Sequence, residues 1–122
     1  GCPVIAAAAG ADLALVVTEP SVAGIHDLAR ALETTTHFRI PALVLINKAD
    51  IYPEGTAQIE ALCAERGIEI IGSIPFDPAV TTAMINGDPV TVYSPEAPAS
   101  QAMRAAWQTV VARLTGNGEN AV

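Results

Sequence analysis

The stretch Ala42-Leu43-Val44-Leu45-Ile46-Asn47-Lys48-Ala49-Asp50 decides the fold. Five apolar residues in a row, with no polar alternation, read as a strand buried on both faces, and the run stops abruptly at a polar loop. Upstream, Ala11 to Val17 is a second apolar block, closed by Thr18-Glu19-Pro20. Ser21 then suits an N-cap. Ile25, Leu28, Ala29 and Leu32 recur at helical spacing until the Thr34-Thr35-Thr36 run weakens the propensity, which predicts a helix of about three turns. Downstream, Ala57, Ile59, Leu62 and Cys63 trace an apolar stripe after Pro53, and Gly67 is placed to cap that helix near Arg66.

Working further outward, Ile68 to Ile74 reads as a third strand closed by Pro75-Phe76-Asp77-Pro78. From Val80 to Pro98 the chain is punctuated by Pro and Gly with no clear period, so a loop with one short helical turn is expected. A last helix, Ser100 to Leu114, is expected to turn Met103, Ala106, Trp107, Val110 and Leu114 inward. Alternation of strand and helix with short connections predicts an α/β fold: a three-layer parallel sheet with flanking helices and right-handed crossovers. Residues 1–115 are expected to form one α/β unit and residues 116–122 a flexible tail.

Composition agrees with one packed core. The chain has 122 residues, 51% of them hydrophobic and 16% charged. Thirteen acidic residues against 6 basic ones give a net charge of -7, which does not suit the neutralisation of a polyphosphate backbone, so no nucleic-acid partner is expected. Cys2 and Cys63 lie far apart without a C-x-x-C or a histidine partner, which points to reduced, cytoplasmic thiols rather than a zinc knuckle or disulfide. The apolar start from Val4 to Ala9 lacks a basic flank and is far shorter than the ~20 residues of a membrane span. Because the chain opens on Gly1 rather than Met, further sequence upstream is expected.

In open parallel sheets, ligands bind beyond the carboxyl ends of the strands, which here are Thr18 to Pro20, Asn47 to Asp50 and Pro75 to Pro78. Asn47-Lys48-Ala49-Asp50 matches the N-K-x-D pattern with which P-loop GTPases read their base, and it follows a buried strand as that motif does. An Asn amide can donate to a purine N7 and accept from the adenine N6 amino group. A carboxylate such as Asp50 would instead accept from the N1 and N2 protons of guanine. The competing structural reading is an Asx turn with Lys48 solvated. Pro75-Phe76-Asp77-Pro78 presents fixed carbonyls that suit an N6 donor, although a plain proline turn reads equally well. Bland readings cover the rest. His26 and Asp27 are adjacent on a helix and diverge, His37 is a helix-end residue, and Met103, Trp107 and Cys63 are core.

Gly1-Cys2-Pro3-Val4-Ile5, the segment from Ala11 to Pro20, Gly24-Ile25-His26-Asp27-Leu28, Asn47-Lys48-Ala49-Asp50 and Ile74-Pro75-Phe76-Asp77-Pro78-Ala79-Val80 together resemble the MinD/Mrp-like P-loop ATPases, of the type with an inserted ferredoxin domain. The resemblance runs to about Ala99. It implies the C-terminal half of a partial P-loop NTPase fold of the deviant Walker A kind. It also implies that Asn47 contacts adenine, with Lys48 and Asp50 in the same loop and Asp50 demoted to a turn residue. Pro75, Phe76 and Asp77 would line the base pocket, and Thr18, Glu19 and Pro20 would lie near the nucleotide, facing a second subunit.

The family's Lys-Gly-Gly-x-Gly-Lys-Thr/Ser phosphate loop, its magnesium-positioning Asp-x-x-Pro-Gly segment and its iron-sulfur cysteine clusters are not among these 122 residues. The resemblance therefore implies ATP or ADP held at the adenine end only, with magnesium and 4Fe-4S clusters belonging to the full-length family. No catalytic residue or metal ligand is assigned, and hydrolysis by this chain alone is expected to be negligible. The expected partner is the missing N-terminal P-loop half or a second copy of the chain, as a homo-oligomer with no membrane span. Two alternatives stay open: a non-catalytic interaction or dimerisation module, its strand Leu13 to Val17 lacking a neighbour, and GTP binding through the literal Asn-Lys-Ala-Asp string.

Overall fold

A computed structural model describes residues 7–116. The Gly1-Cys2-Pro3-Val4-Ile5 segment, with Cys2, and the tail expected beyond Gly116 lie outside the described residues. The order is β1 (Ala14–Thr18), α1 (Val22–His37), β2 (Ala42–Asn47), α2 (Pro53–Arg66), β3 (Glu69–Ile74), α3 (Pro78–Ile85), α4 (Val90–Tyr93) and α5 (Pro98–Thr115). The three strands form one parallel sheet in the order β1-β2-β3, so β2 is central. Leu43 to Ile46 are all buried, as an uninterrupted apolar run requires.

Helices cover both faces of β2. Val44 and Ile46 pack with Leu28 and Leu32 of α1 and with Ile59 and Cys63 of α2. Leu45 faces the other way, onto Ala99 and Ala106 of α5 together with Ile74. The β2–β3 register slips between Val44 and Leu45, which pair with Ile70 and Gly72, so Ile71 is an extra residue in β3. That bulge lets Ile70 serve one face and Ile71 the other. Arg113 of α5 adds a two-pronged ion pair to Glu69 at the start of β3, with nitrogen–oxygen distances of 3.2 and 2.7 Å.

The sheet is lopsided. α5 lies over β3 and leaves the β1 side of that face bare, with Leu15 and Val17 exposed. Among the described residues β1 pairs only with β2. Ala14 donates its N–H to the Pro41 carbonyl at 2.9 Å. Since alternate residues of a parallel strand bond to alternate sides, the N–H and C=O groups of Leu15 and Val17 point to the open edge. An open groove follows that edge and the flank of α1, lined by Leu15, Val17, Ala23, Asp27 and Ala31.

Four local expectations need correction. The Thr34-Thr35-Thr36 run does not end α1, which continues to His37. Each threonine hydroxyl donates back to a helix carbonyl, Thr34 to Arg30 at 3.1 Å and Thr35 and Thr36 to Leu32 at 2.9 Å, and Thr35 is buried. The segment after Asp77 is not loop but α3, followed by the single turn α4. Pro78 opens α3 and the Asp77 carboxylate caps it, while its apolar residues surround the axis with Met84 and Ile85 exposed, so no single-face period marks it. Trp107 and Leu114 point outward, being 63% and 53% exposed. Ala99, Met103, Ala106 and Val110 form the inward row of α5, and Trp107 is one position, roughly 100°, past it. Ala57 of α2 is likewise exposed.

Other expectations agree with the structure. Ser21 caps α1 by accepting from the Gly24 N–H at 2.9 Å, and α2 ends at Arg66 with Gly67 in the left-handed region at φ 67°. Cys63 is buried in the core, and that burial pushes its thiol pKa up, with Arg66 pulling it part of the way back.

Candidate functional site

The three loops at the carboxyl ends of the strands meet through identifiable bonds. The sequence changes from apolar to polar at Asn47, and the backbone then makes a tight turn in which Lys48 takes a left-handed conformation at φ 53°. Ile51 closes the turn by donating to the Lys48 carbonyl at 3.2 Å. A non-glycine residue there costs of order 1–2 kcal/mol. The turn directs the Ala49 N–H onto the Ile74 carbonyl at 3.1 Å and the Ala49 carbonyl onto the Thr56 hydroxyl at 2.7 Å. Asp50 reaches across to the third loop, its Oδ1 accepting from the Phe76 N–H at 2.8 Å. The second and third loops are therefore fastened by two bonds, from the adjacent residues Ala49 and Asp50 of the turn to Ile74 and Phe76.

Asp77 holds the third loop from the other side. One carboxylate oxygen accepts from Ala79 N–H at the start of α3 and the other from Ala99 N–H at the start of α5, both at 3.0 Å. A carboxylate shared between two helix N-termini is well matched to both dipoles. Pro75 is half-buried between these anchors, and the Phe76 side chain is exposed. The chain thus uses both acidic groups of these loops to hold backbone.

The first loop joins the second through charge. Lys48 Nζ lies 3.9 Å from Glu19 Oε2, with both side chains about half exposed. Thr18 is buried and donates its hydroxyl to the Gly24 carbonyl at 3.2 Å, and Pro20 is buried against α2. Two glycines permit this packing. A side-chain carbon at Gly24 would overlap the Glu19 carbonyl oxygen, and one at Gly55 would lie 2.7 Å from the Pro20 carbonyl oxygen. Gly24 stands in the family-like segment Gly24-Ile25-His26-Asp27-Leu28, but neither glycine is legible from the sequence as a packing residue. A partial signal was available, as each sits in the first turns of a helical pattern where glycine is costly without a packing reason.

Asn47 differs from its neighbours. It ends β2 half-buried, and among the described residues its carboxamide makes no hydrogen bond. One donor group and one acceptor therefore stand unengaged among the described residues, beside the groove along β1 that Asn47 helps to line. The predicted site residues Asn47, Lys48, Asp50, Pro75, Phe76 and Asp77 are brought together, with Glu19 tied to them through Lys48, while Thr18 and Pro20 sit behind as packed supports.

Among the described residues no group of three or more His, Cys, Asp or Glu could hold a metal ion. No helix among them is long and apolar enough to cross a membrane.

No protein-family model matches the chain. The cytosolic Fe-S cluster assembly factor Nubp1 homolog of Drosophila grimshawi is 32% identical, over 68% of this chain and 30% of that protein. The cytosolic Fe-S cluster assembly factor NBP35 of Eremothecium gossypii is 30% identical, over 77% of this chain and 32% of that protein. The chain thus spans about a third of the length of these curated relatives. Among solved structures, the MinD cell division protein of Aquifex aeolicus superposes with a TM-score of 0.67 at 28% identity, covering 83% of this chain and 44% of that one. MinD of Pyrococcus horikoshii, solved with Mg-ADP, shares the fold with a TM-score of 0.64 at 21% identity, covering 81% of this chain and 41% of that one. The parallel three-stranded sheet and these likenesses agree: the chain belongs to the MinD/Mrp-like P-loop ATPase superfamily and carries part of its fold.

Proposed function

We propose that this chain supplies the adenine end of the nucleotide site of a MinD/Mrp-like ATPase, with the phosphate end supplied from outside these 122 residues. The observation that supports it is the Asn47 carboxamide, unengaged among the described residues, at the end of β2 where the loop carrying Ala49 and Asp50 is fastened to the loop after β3. In this reading the Asn47 amide donates to adenine N7 and accepts from the N6 amino group, and Pro75, Phe76 and Asp77 wall the base. Lys48 and Asp50 shape the loop, and Thr18, Glu19 and Pro20 face the nucleotide and a second subunit. ATP or ADP is the ligand, magnesium acts at the phosphate end, and hydrolysis requires the phosphate loop. A cytosolic role in iron-sulfur cluster assembly for the whole protein is proposed from the names of its relatives.

Equilibrium binding of ATP and GTP tests the reading. ATP is expected to be preferred, and Asn47→Ala is expected to weaken it by about 10- to 100-fold, the worth of one bidentate amide-to-base contact. Equal affinity for ATP and GTP, or an unchanged ATP affinity in Asn47→Ala, would contradict it.

The open edge of β1 favours a second, compatible reading, in which the chain is also an association module. Unpaired strand edges recruit further strands, from the P-loop half or from a second copy, and Val17 stands exposed beside this one. Self-association rising with concentration in sedimentation equilibrium, and lost in Val17→Lys, is the expected result. A monomer at every concentration would rule out the second copy.

A further inference from the structure

We propose that Asp50 is a positioning residue that sets base specificity by bracing the two base-facing loops, and not by touching the base. The proposal rests on the adenine reading above and extends it to the choice between purines. A carboxylate that reads guanine must offer both oxygens, one to the N1 proton and one to the 2-amino group. Here Oδ1 of Asp50 is already engaged by the Phe76 N–H at 2.8 Å, across 26 residues of chain. Turning the carboxylate toward a base would release the third loop, leaving the adjoining Ala49-to-Ile74 bond to hold it. The other acidic group nearby is committed as well, since both oxygens of Asp77 accept from amides at helix N-termini.

What remains for a base edge is one carboxamide, Asn47, which carries both a donor and an acceptor. That pair matches the N7 and N6 positions of adenine. At guanine the 6-position is a carbonyl, so the Asn47 oxygen finds no donor there and only its NH2 group can serve the base edge. The literal Asn-Lys-Ala-Asp string therefore keeps its aspartate for a structural reason, as the tie between the loop after β2 and the loop after β3.

The two roles separate in variants. Asp50→Asn keeps an oxygen to accept from Phe76, whereas Asp50→Ala does not. If Asp50 braces the loops, Asp50→Ala is expected to weaken ATP by about 10-fold, the worth of a lost charge-assisted bond, and Asp50→Asn to stay within about 3-fold of the unaltered protein. Hydrogen exchange at the Phe76 amide is expected to speed up in Asp50→Ala and to be restored in Asp50→Asn. A guanine reader would behave otherwise, since Asp50→Asn would lose GTP and gain xanthosine triphosphate, whose 2-carbonyl accepts from the new amide. An Asp50→Ala protein that binds ATP like the unaltered one with Phe76 still protected would overturn the proposal while the adenine reading stands, whereas that switch would overturn both. A protein binding neither ATP nor GTP would remove both.

Discussion

Leu32→Ala is expected to cost about 3 kcal/mol of folding stability, within the ~2–5 kcal/mol range for a large core residue cut to its Cβ. Leu32 is fully buried at the centre of the cluster that joins α1, β2 and α2, against Leu28, Val44, Ile46, Ile59 and Cys63. The loss comprises the transfer free energy of the missing carbons and the dispersion contacts of a cavity whose walls belong to three elements and cannot all close in. Against the ~5–15 kcal/mol that holds a domain folded, this is a large share. Urea unfolding followed by far-ultraviolet circular dichroism should show a midpoint lowered by about 2 M, taking a slope of ~1.5 kcal/mol/M. Tryptophan fluorescence is the poorer probe, because Trp107 is already exposed in the folded chain. An unmoved midpoint would mean that this cluster is not the core.

Gly55→Ala sets two effects against each other, and their magnitudes decide the sign. Alanine gains up to about 1 kcal/mol of helix propensity over glycine, and less in a first turn. Its Cβ, however, would stand 2.7 Å from the Pro20 carbonyl oxygen and 2.9 Å from the Pro20 Cβ, in the loop that follows β1. Overpacking of this kind costs about 1–3 kcal/mol. Net destabilisation of about 1 kcal/mol or more is therefore expected, accompanied by displacement of the Thr18-Glu19-Pro20 loop and loosening of the Lys48–Glu19 pair. Thermal unfolding gives the first quantity and amide exchange in residues 18–21 the second. A stabilised Gly55→Ala protein would show that the loop yields freely.

Those two substitutions also mark what the sequence made legible. The buried strand over Ala42 to Ile46, the polar loop at its end and the helix from Pro53 to Gly67 could be read because run length, proline and glycine are local signals. α3 could not, because an eight-residue helix with apolar side chains on all sides has no period to detect. Trp107 was misplaced because size and apolarity favour burial, while its angle on α5 depends on which row meets the sheet. The candidate loops were found from the strand ends, but the uses of Asp50 and Asp77 were not. Their partners, Phe76 and Ala99, lie 26 and 22 residues away, and only folding brings them together. Gly24 and Gly55 stand in the first turns of helices, which is a signal in itself, but the carbonyls of Glu19 and Pro20 that exclude a side chain there are known only from the folded loop after β1.

Assignment of Asn47 as the contact to adenine is tested most directly by watching its side-chain amide in ¹H–¹⁵N spectra while ATP or GTP is added. ATP is expected to shift the Asn47 Nδ2 protons and the Phe76 backbone amide together, with GTP producing little change at either. Equal shifts with GTP, or ATP shifts that leave Asn47 untouched, would contradict the account.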